Sequence, residues 1–124
     1  PWRGSRPTRI LLAPDAARPD DCWRDAMAAL APAAVANPDV TLGIAWPLES
    51  LAKVSAELAS ASGDFQGECD LLLIEAPTSA PAWERLLAGA SLWVKTSPRL
   101  DVEAAAQRVG VEIRDLAWAV AAAA

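Results

Sequence analysis

The sequence contains no histidine. That absence excludes Ser-His-Asp and Cys-His nucleophile systems, imidazole-bound zinc and imidazole acid/base catalysis. Chemistry performed by this chain alone would have to use carboxylates, lysine or a bound metal. Cysteine is scarce as well. Cys22 and Cys69 stand in no metal-ligand spacing and read as buried thiols in a reducing, cytoplasmic compartment. There is no run of roughly 20 apolar residues, so no membrane span is expected. Neither G-x-G-x-x-G nor G-x-x-x-x-G-K-[ST] occurs, which disfavours dinucleotide and P-loop sites. Basic residues are few and scattered within a net charge of −5, which argues against nucleic acid as a partner. The trio Arg3, Arg6 and Arg9 reads as a solvated arm. No signal peptide is visible; Pro1 at the start and Met27 as the only methionine are what a piece cut from a longer chain would show.

What is present is apolar and periodic. At 124 residues, 53% hydrophobic and 22% charged, the chain fits one globular domain. Five short apolar runs end at turn residues: Arg9–Ala13, Val40–Trp46, Leu71–Ile74, Leu92–Val94 and Val111–Ile113. Near-continuous rather than alternating runs suit strands covered on both faces. Between them lie helical stripes. Trp23, Ala26, Met27, Leu30 and Ala34 form the first, with Asp20 and Asp21 placed to cap it and Pro32 expected to break or kink it near its end. Leu51, Val54 and Leu58 form a second, with Lys53 and Glu57 as an exposed pair. Trp83, Leu86 and Leu87 form a third. Val102, Ala105, Ala106 and Val109 form a fourth, closed by Gly110 as its C-terminal cap. Ala117 to Ala124 reads as the start of a last helix, because Leu116, Trp118 and Val120 need cover. The alternation predicts an α/β fold: a Rossmann-like, doubly wound three-layer sandwich around a parallel sheet of about five strands, spanning residues 1–124 as a single domain.

In such sheets ligands sit beyond the carboxyl ends of the strands, near the switch in strand order. The residues there are Pro14-Asp15, Trp46-Pro47, Glu75-Ala76-Pro77, Lys95-Thr96-Ser97 and Asp115. Asp15 and Glu75 read either as turn and loop residues or as a paired acid/base or Mg²⁺ site. Lys95, Thr96 and Ser97 read either as a phosphate holder at the next helix or as a helix cap beside a solvated lysine. Trp46 reads as core or interface packing, or as a platform for a base or sugar.

Three stretches carry a family resemblance. They are Asn37-Pro38-Asp39-Val40-Thr41-Leu42-Gly43-Ile44, then Trp83-Glu84-Arg85-Leu86-Leu87-Ala88-Gly89-Ala90-Ser91-Leu92-Trp93-Val94, then Ser97 with Val102-Glu103-Ala104-Ala105. Together with Gly110-Val111 they resemble the C-terminal half of group-1, family 4-like GT-B glycosyltransferases, over most of residues 9 to 115. The resemblance implies a nucleotide-sugar donor-binding domain of a bacterial-type transferase, inactive without the acceptor half that precedes it in such enzymes. It implies a nucleotide-diphosphate sugar as ligand, the missing N-terminal acceptor domain or other modules as partners, and no cofactor, metal or catalytic residue in this half. With the strand-end residues Trp46, Lys95 and Thr96, the candidate donor contacts are Ser97 and Glu103, which lie in the resembling stretches, Glu103 matching the family's ribose-binding glutamate. Pro14-Asp15-Ala16-Ala17-Arg18 stands where the family carries its diphosphate-gripping Arg and "KG", with Arg18 as the stand-in. Trp46-Pro47-Leu48-Glu49 replaces "GDGP", and Pro98-Arg99-Leu100-Asp101 replaces the Gly-rich acidic loop and its first glutamate. Two further readings follow from the same residues: a non-catalytic domain of this fold serving protein binding or assembly with tryptophans at its interface, and a receiver-like or flavodoxin-like regulatory module. The latter lacks the acidic cluster after its first strand.

Overall fold

A computed structural model describes residues 2, 4–53, 56 and 71–123. Five parallel strands form one sheet in the order β3-β2-β1-β4-β5. The strands are β1 (Thr8–Leu12), β2 (Val40–Trp46), β3 (Leu71–Glu75), β4 (Leu92–Val94) and β5 (Glu112–Arg114). The helices bounded within the described residues are α1 (Trp23–Ala36), α2 (Ala80–Ala88), α3 (Leu100–Val109) and α4 (Leu116–Ala123). A single 3₁₀ turn, Leu48–Ser50, follows β2. The α/β, Rossmann-like architecture read from the sequence is the one observed.

Side chains alternate across the strands and so build two cores. Ile10, Leu12, Leu42, Ile44, Leu92 and Val94 face one way, against Trp23, Ala26, Met27, Leu30, Ala31 and Ala34 of α1 and Ala119 of α4. Leu11, Ala13, Ala45, Ile74 and Trp93 face the other, against Trp83, Leu86 and Leu87 of α2 and Val102, Ala105 and Ala106 of α3. The interior strand β2 is buried along its length apart from Trp46, whereas the edge strands β3 and β5 keep exposed residues. That gradient is expected where only central strands are covered on both faces.

Several expectations are corrected. α1 runs through Pro32 to Ala36 instead of ending there. A proline inside a helix costs about 3 kcal/mol, and the buried Ala26, Met27, Leu30, Ala31 and Ala34 face offsets it. β5 is shifted one residue onward from Val111–Ile113. Val120 is exposed and Ala119 takes the buried position instead. The N-terminal lead is no solvated arm: Arg9 lies within β1 and donates from Nη1 to the Gly89 carbonyl at 3.1 Å. Ahead of it Trp2 is buried against the α2 side of the sheet, its Nε1 donating to the Leu86 carbonyl at 2.9 Å. The ring fits because Gly43 and Gly89 lack side chains. A Cβ at either would stand 2.5 Å from the indole. Gly110 closes α3 in the left-handed conformation, φ 75°, as the spacing implied. Val54, Leu58, Glu57, Cys69 and Arg3 lie outside the described residues.

Candidate functional site

The strand order reverses between β1 and β4, since β1 continues to β2 and β3 on one side and β4 leads to β5 on the other. The crevice beyond their carboxyl ends is the place where such sheets hold ligands. Here it is bounded by Pro14-Asp15 after β1, Lys95-Thr96-Ser97 after β4, and the first residues of α1 and α3.

Asp21 is the hub of this crevice. It is buried at 7% exposure. Its Oδ1 accepts from the Trp23 amide at 3.0 Å, tying off a first-turn donor of α1. Its Oδ2 accepts from the Ser97 hydroxyl at 2.6 Å and from the Asp15 amide at 2.9 Å. One carboxylate thus fastens the β1 loop, the start of α1 and the β4 loop together. The sequence marks Asp21 as a cap, and its bond to Trp23 agrees. Its partner Ser97, 76 residues away, carries no sequence signal of the contact.

The other expected contacts are also turned toward the protein. Lys95 donates from Nζ to Glu103 Oε1 at 2.6 Å, so the partly exposed ammonium is engaged by a carboxylate of its own chain. The second oxygen of Glu103 accepts from the Arg99 amide at 3.1 Å, at the start of α3. That corrects the expectation that Thr96 or Ser97 caps α3: no side chain of its N-cap residue bonds the helix, and Glu103 reaches back instead. Thr96 is buried; its carbonyl accepts from the Cys22 amide at 3.2 Å and from the thiol at 3.1 Å, while its hydroxyl is buried without a partner. Cys22 is half-buried, and burial first, then the Asp21 carboxylate, push its thiol up. It is therefore no activated nucleophile.

Arg99 was not singled out by the sequence, yet it spans the crevice floor. Its Nη1 donates to the Ala13 and Pro14 carbonyls at 3.4 and 2.9 Å, its guanidinium lies 5.4 Å from the Trp83 ring centroid, and Asp101 pairs with it. A cleft of about 400 Å³ opens beside it, lined by Asp15, Glu49 and Glu75 as its carboxylates and by Pro14, Pro47 and Leu48 among its apolar residues. Asp15 also accepts from the Ala17 amide at 3.0 Å, which makes it a turn residue. Among the described residues no group of three or more carboxylates and thiols has the geometry of a metal site.

The Trp46 side chain belongs elsewhere. It packs edge-on to Trp23, with centroids 5.3 Å apart and planes at 62°, against the α1-side core. Four of the other tryptophans, Trp2, Trp23, Trp83 and Trp93, are buried, and Trp118 is partly buried against the same core as Trp46. The interface expected of the tryptophans is thus not at their indoles. Among the described residues, Leu48, Leu100 and Val120 are the exposed large apolar ones, at 62%, 84% and 55%.

Glu103 supplies a pH prediction. The hydrogen bond from Lys95 holds its carboxyl below the ordinary glutamate range; partial burial opposes this, and the Arg99 amide adds a second downward pull. A depressed folded-state value means that the contact stabilises fully above the unfolded value of about 4.3 and is lost as pH falls through the folded value. Glu103→Gln should therefore cost about 1 kcal/mol at pH 7, as a lost helix-end contact and a half-exposed ion pair together. The gap to the parent in urea denaturation should close below pH 4, and a gap independent of pH would refute the assignment.

No family model matches the chain, and no curated protein matches it. Solved structures do share its fold. A chain from the crystal structure of accessory secretory protein 1, 2 and 3 of Streptococcus pneumoniae is similar over 87% of this chain, with TM-score 0.59 and 14% identity. A universal stress protein in complex with cAMP is similar over 90%, with TM-score 0.51 and 18% identity, and OtsA in its apo form over 94%, with TM-score 0.51 and 10% identity. This chain spans 97% of the universal stress protein but only 21% of the accessory secretory protein chain and 34% of OtsA. At these identities the likeness is one of fold: a parallel five-stranded α/β domain that also forms part of much longer chains.

Proposed function

We propose that this chain is a GT-B-like half whose donor crevice is closed by its own side chains, and that it serves assembly with other chains or modules instead of sugar transfer. The observation that carries this reading is the Asp21 carboxylate, which takes the Ser97 hydroxyl and the Asp15 amide that an incoming phosphate would need. Lys95 and Glu103 satisfy one another in the same way. Charge adds to the argument. A diphosphate in the neighbouring cleft would face Asp15, Glu49 and Glu75, with Arg99 already engaged. Each like-charge approach at 4 Å costs about 1–4 kcal/mol at effective dielectrics between water and a protein surface. The exposed Leu48 on that cleft, and Leu100 next to Arg99, offer apolar surface to a partner. The fold likeness to the accessory secretory protein, whose structure was solved with proteins 1, 2 and 3 together, and to OtsA is consistent with a GT-B-like domain within a larger assembly.

The second reading is the donor-binding domain itself. It is favoured by the convergence of Lys95, Thr96, Ser97 and Glu103 at the switch point, and by the Thr96 hydroxyl left without a partner there. Calorimetric titration with UDP, GDP and their sugars separates the two. The closed crevice predicts no binding at millimolar ligand. Saturable binding that is lost in Glu103→Ala or Ser97→Ala would establish the donor site instead.

A further inference from the structure

β5 ends the sheet on one side. It pairs with β4, and among the described residues no strand lies beyond it. The Lys95 amide donates to the Arg114 carbonyl at 2.7 Å, so the backbone of Arg114 faces β4. Backbone direction alternates along a strand, and the N–H and C=O of Ile113 therefore point outward. Such an edge is a template for another strand. Glu112 and Arg114 pair with one another, both side chains about half exposed. Their register partners Leu92 and Val94 belong to the α1 and α4 side, so the pair lies on that face. Ile113, opposite Trp93, lies on the α3 side. Charges on an edge ordinarily discourage pairing. Here the order Glu112-Ile113-Arg114 is its own complement when read antiparallel, which favours one partner above others. α4 adds a second observation. Only Asp115 separates it from β5, and its sequence Leu-Ala-Trp-Ala-Val-Ala-Ala-Ala carries no charge. It packs on α1 and buries Ala119, yet Val120 is left 55% exposed. A helix that is apolar all round calls for cover on more than one side.

We propose that the β5 edge is a self-association surface, on which a second copy of this chain adds its own β5 antiparallel. The two five-stranded sheets become one, with both α4 helices on the same face beside the two-fold axis. Ile113 stands opposite the partner's Ile113, and each N–H donates to the other's carbonyl. Glu112 stands opposite the partner's Arg114, and by symmetry the pair occurs twice. Charge fixes the register. A slip by two residues sets Glu112 against Glu112, or Arg114 against Arg114, which is repulsive. A slip by one puts the α4 helices on opposite faces. The contact uses the β5 of both copies and so stops at two. It rests on the assembly reading above, for which it names the partner, and the crevice residues take no part in it.

Sedimentation velocity over a concentration series up to millimolar chain tests this. The parent should show a monomer–dimer equilibrium that weakens with salt, because its cross-strand ion pairs are exposed. Glu112→Arg and Arg114→Glu each set like charges across the axis twice, and each should weaken the dimer at least tenfold. The two changes combined in one chain should restore it. An equimolar mixture of the two single variants should dimerise as well, since every arginine then meets a glutamate of the other chain. That mixture separates association from folding, because each chain still carries its own like-charged pair. Hydrogen exchange should show the Ile113 amide protected in proportion to the dimer fraction. A parent that stays monomeric at millimolar concentration would overturn the proposal. A dimer indifferent to both charge reversals would overturn it too, and would move the contact to another surface such as Leu48 and Leu100. A dimer that also binds nucleotide sugar through Ser97 or Glu103 would refute the closed crevice and leave the β5 edge standing. A monomer that binds no nucleotide sugar would refute the edge and leave the closed crevice standing.

Discussion

Trp2→Ala should lower the stability of the domain by about 3–5 kcal/mol, the range for truncating a buried aromatic side chain. Domains of this kind unfold with only about 5–15 kcal/mol, so the loss is about a fifth of the total or more. The size follows from three facts. The side chain is 6% exposed, its Nε1 bonds the Leu86 carbonyl across the α2 side, and its ring lies against Gly43 of β2 and Gly89 after α2. Removal would open a cavity between sheet and helix and leave that carbonyl unpaired. Gly43→Val should reproduce much of the loss, because a Cβ there stands 2.5 Å from the ring and must push it out. Chemical denaturation of both variants checks this. A cost below 1 kcal/mol for Trp2→Ala would mean that the N-terminal lead is not seated on the sheet.

Asp21→Ala should cost about 3–4 kcal/mol by the same measurement. The carboxylate accepts three hydrogen bonds while buried, and bonds to a charged acceptor contribute about 1.5–3 kcal/mol each in mutational series, although bonds sharing one acceptor do not add in full. Truncation strands the Asp15 amide, the Trp23 amide and the Ser97 hydroxyl together. Asp21→Asn keeps the shape but places an amide donor among other donors, and about half the cost should remain. A loss confined to the few tenths of a kcal/mol seen for a dispensable cap would show that Asp21 holds α1 alone and not the crevice.

These two residues also show where sequence reading reaches and where it stops. β2 is found to the residue, Val40–Trp46, because a fully covered strand is a continuous apolar run bounded by Asp39 and Pro47. Gly110 is legible because a helix-ending left-handed residue is nearly always glycine. Pro32 does not end α1, because the packing of the α1 face on the sheet outweighs the local rule. Trp2 carries no signal at all: its setting among prolines and arginines has no period, and its seat is made by glycines 41 and 87 residues onward. At the site, Lys95, Thr96, Ser97 and Glu103 lie near the switch point. Their partners decide what they do there, and those partners, Asp21 and one another, are long-range facts that no local pattern encodes. Arg99 sits in a shortened loop with no motif of its own; its one local signal is an arginine at a strand-end loop in an acidic chain.

The closed crevice depends above all on the bond between the Ser97 hydroxyl and Asp21, and a double-mutant cycle measures it directly. Asp21→Ala, Ser97→Ala and the double variant would be compared with the parent by urea denaturation. Groups that are bonded and buried together in solution should show a coupling of about 1–3 kcal/mol, with the double variant much less destabilised than the sum of the singles. Additivity within about 0.3 kcal/mol would mean that Ser97 stands free at the switch point, open to a ligand, and would contradict the account.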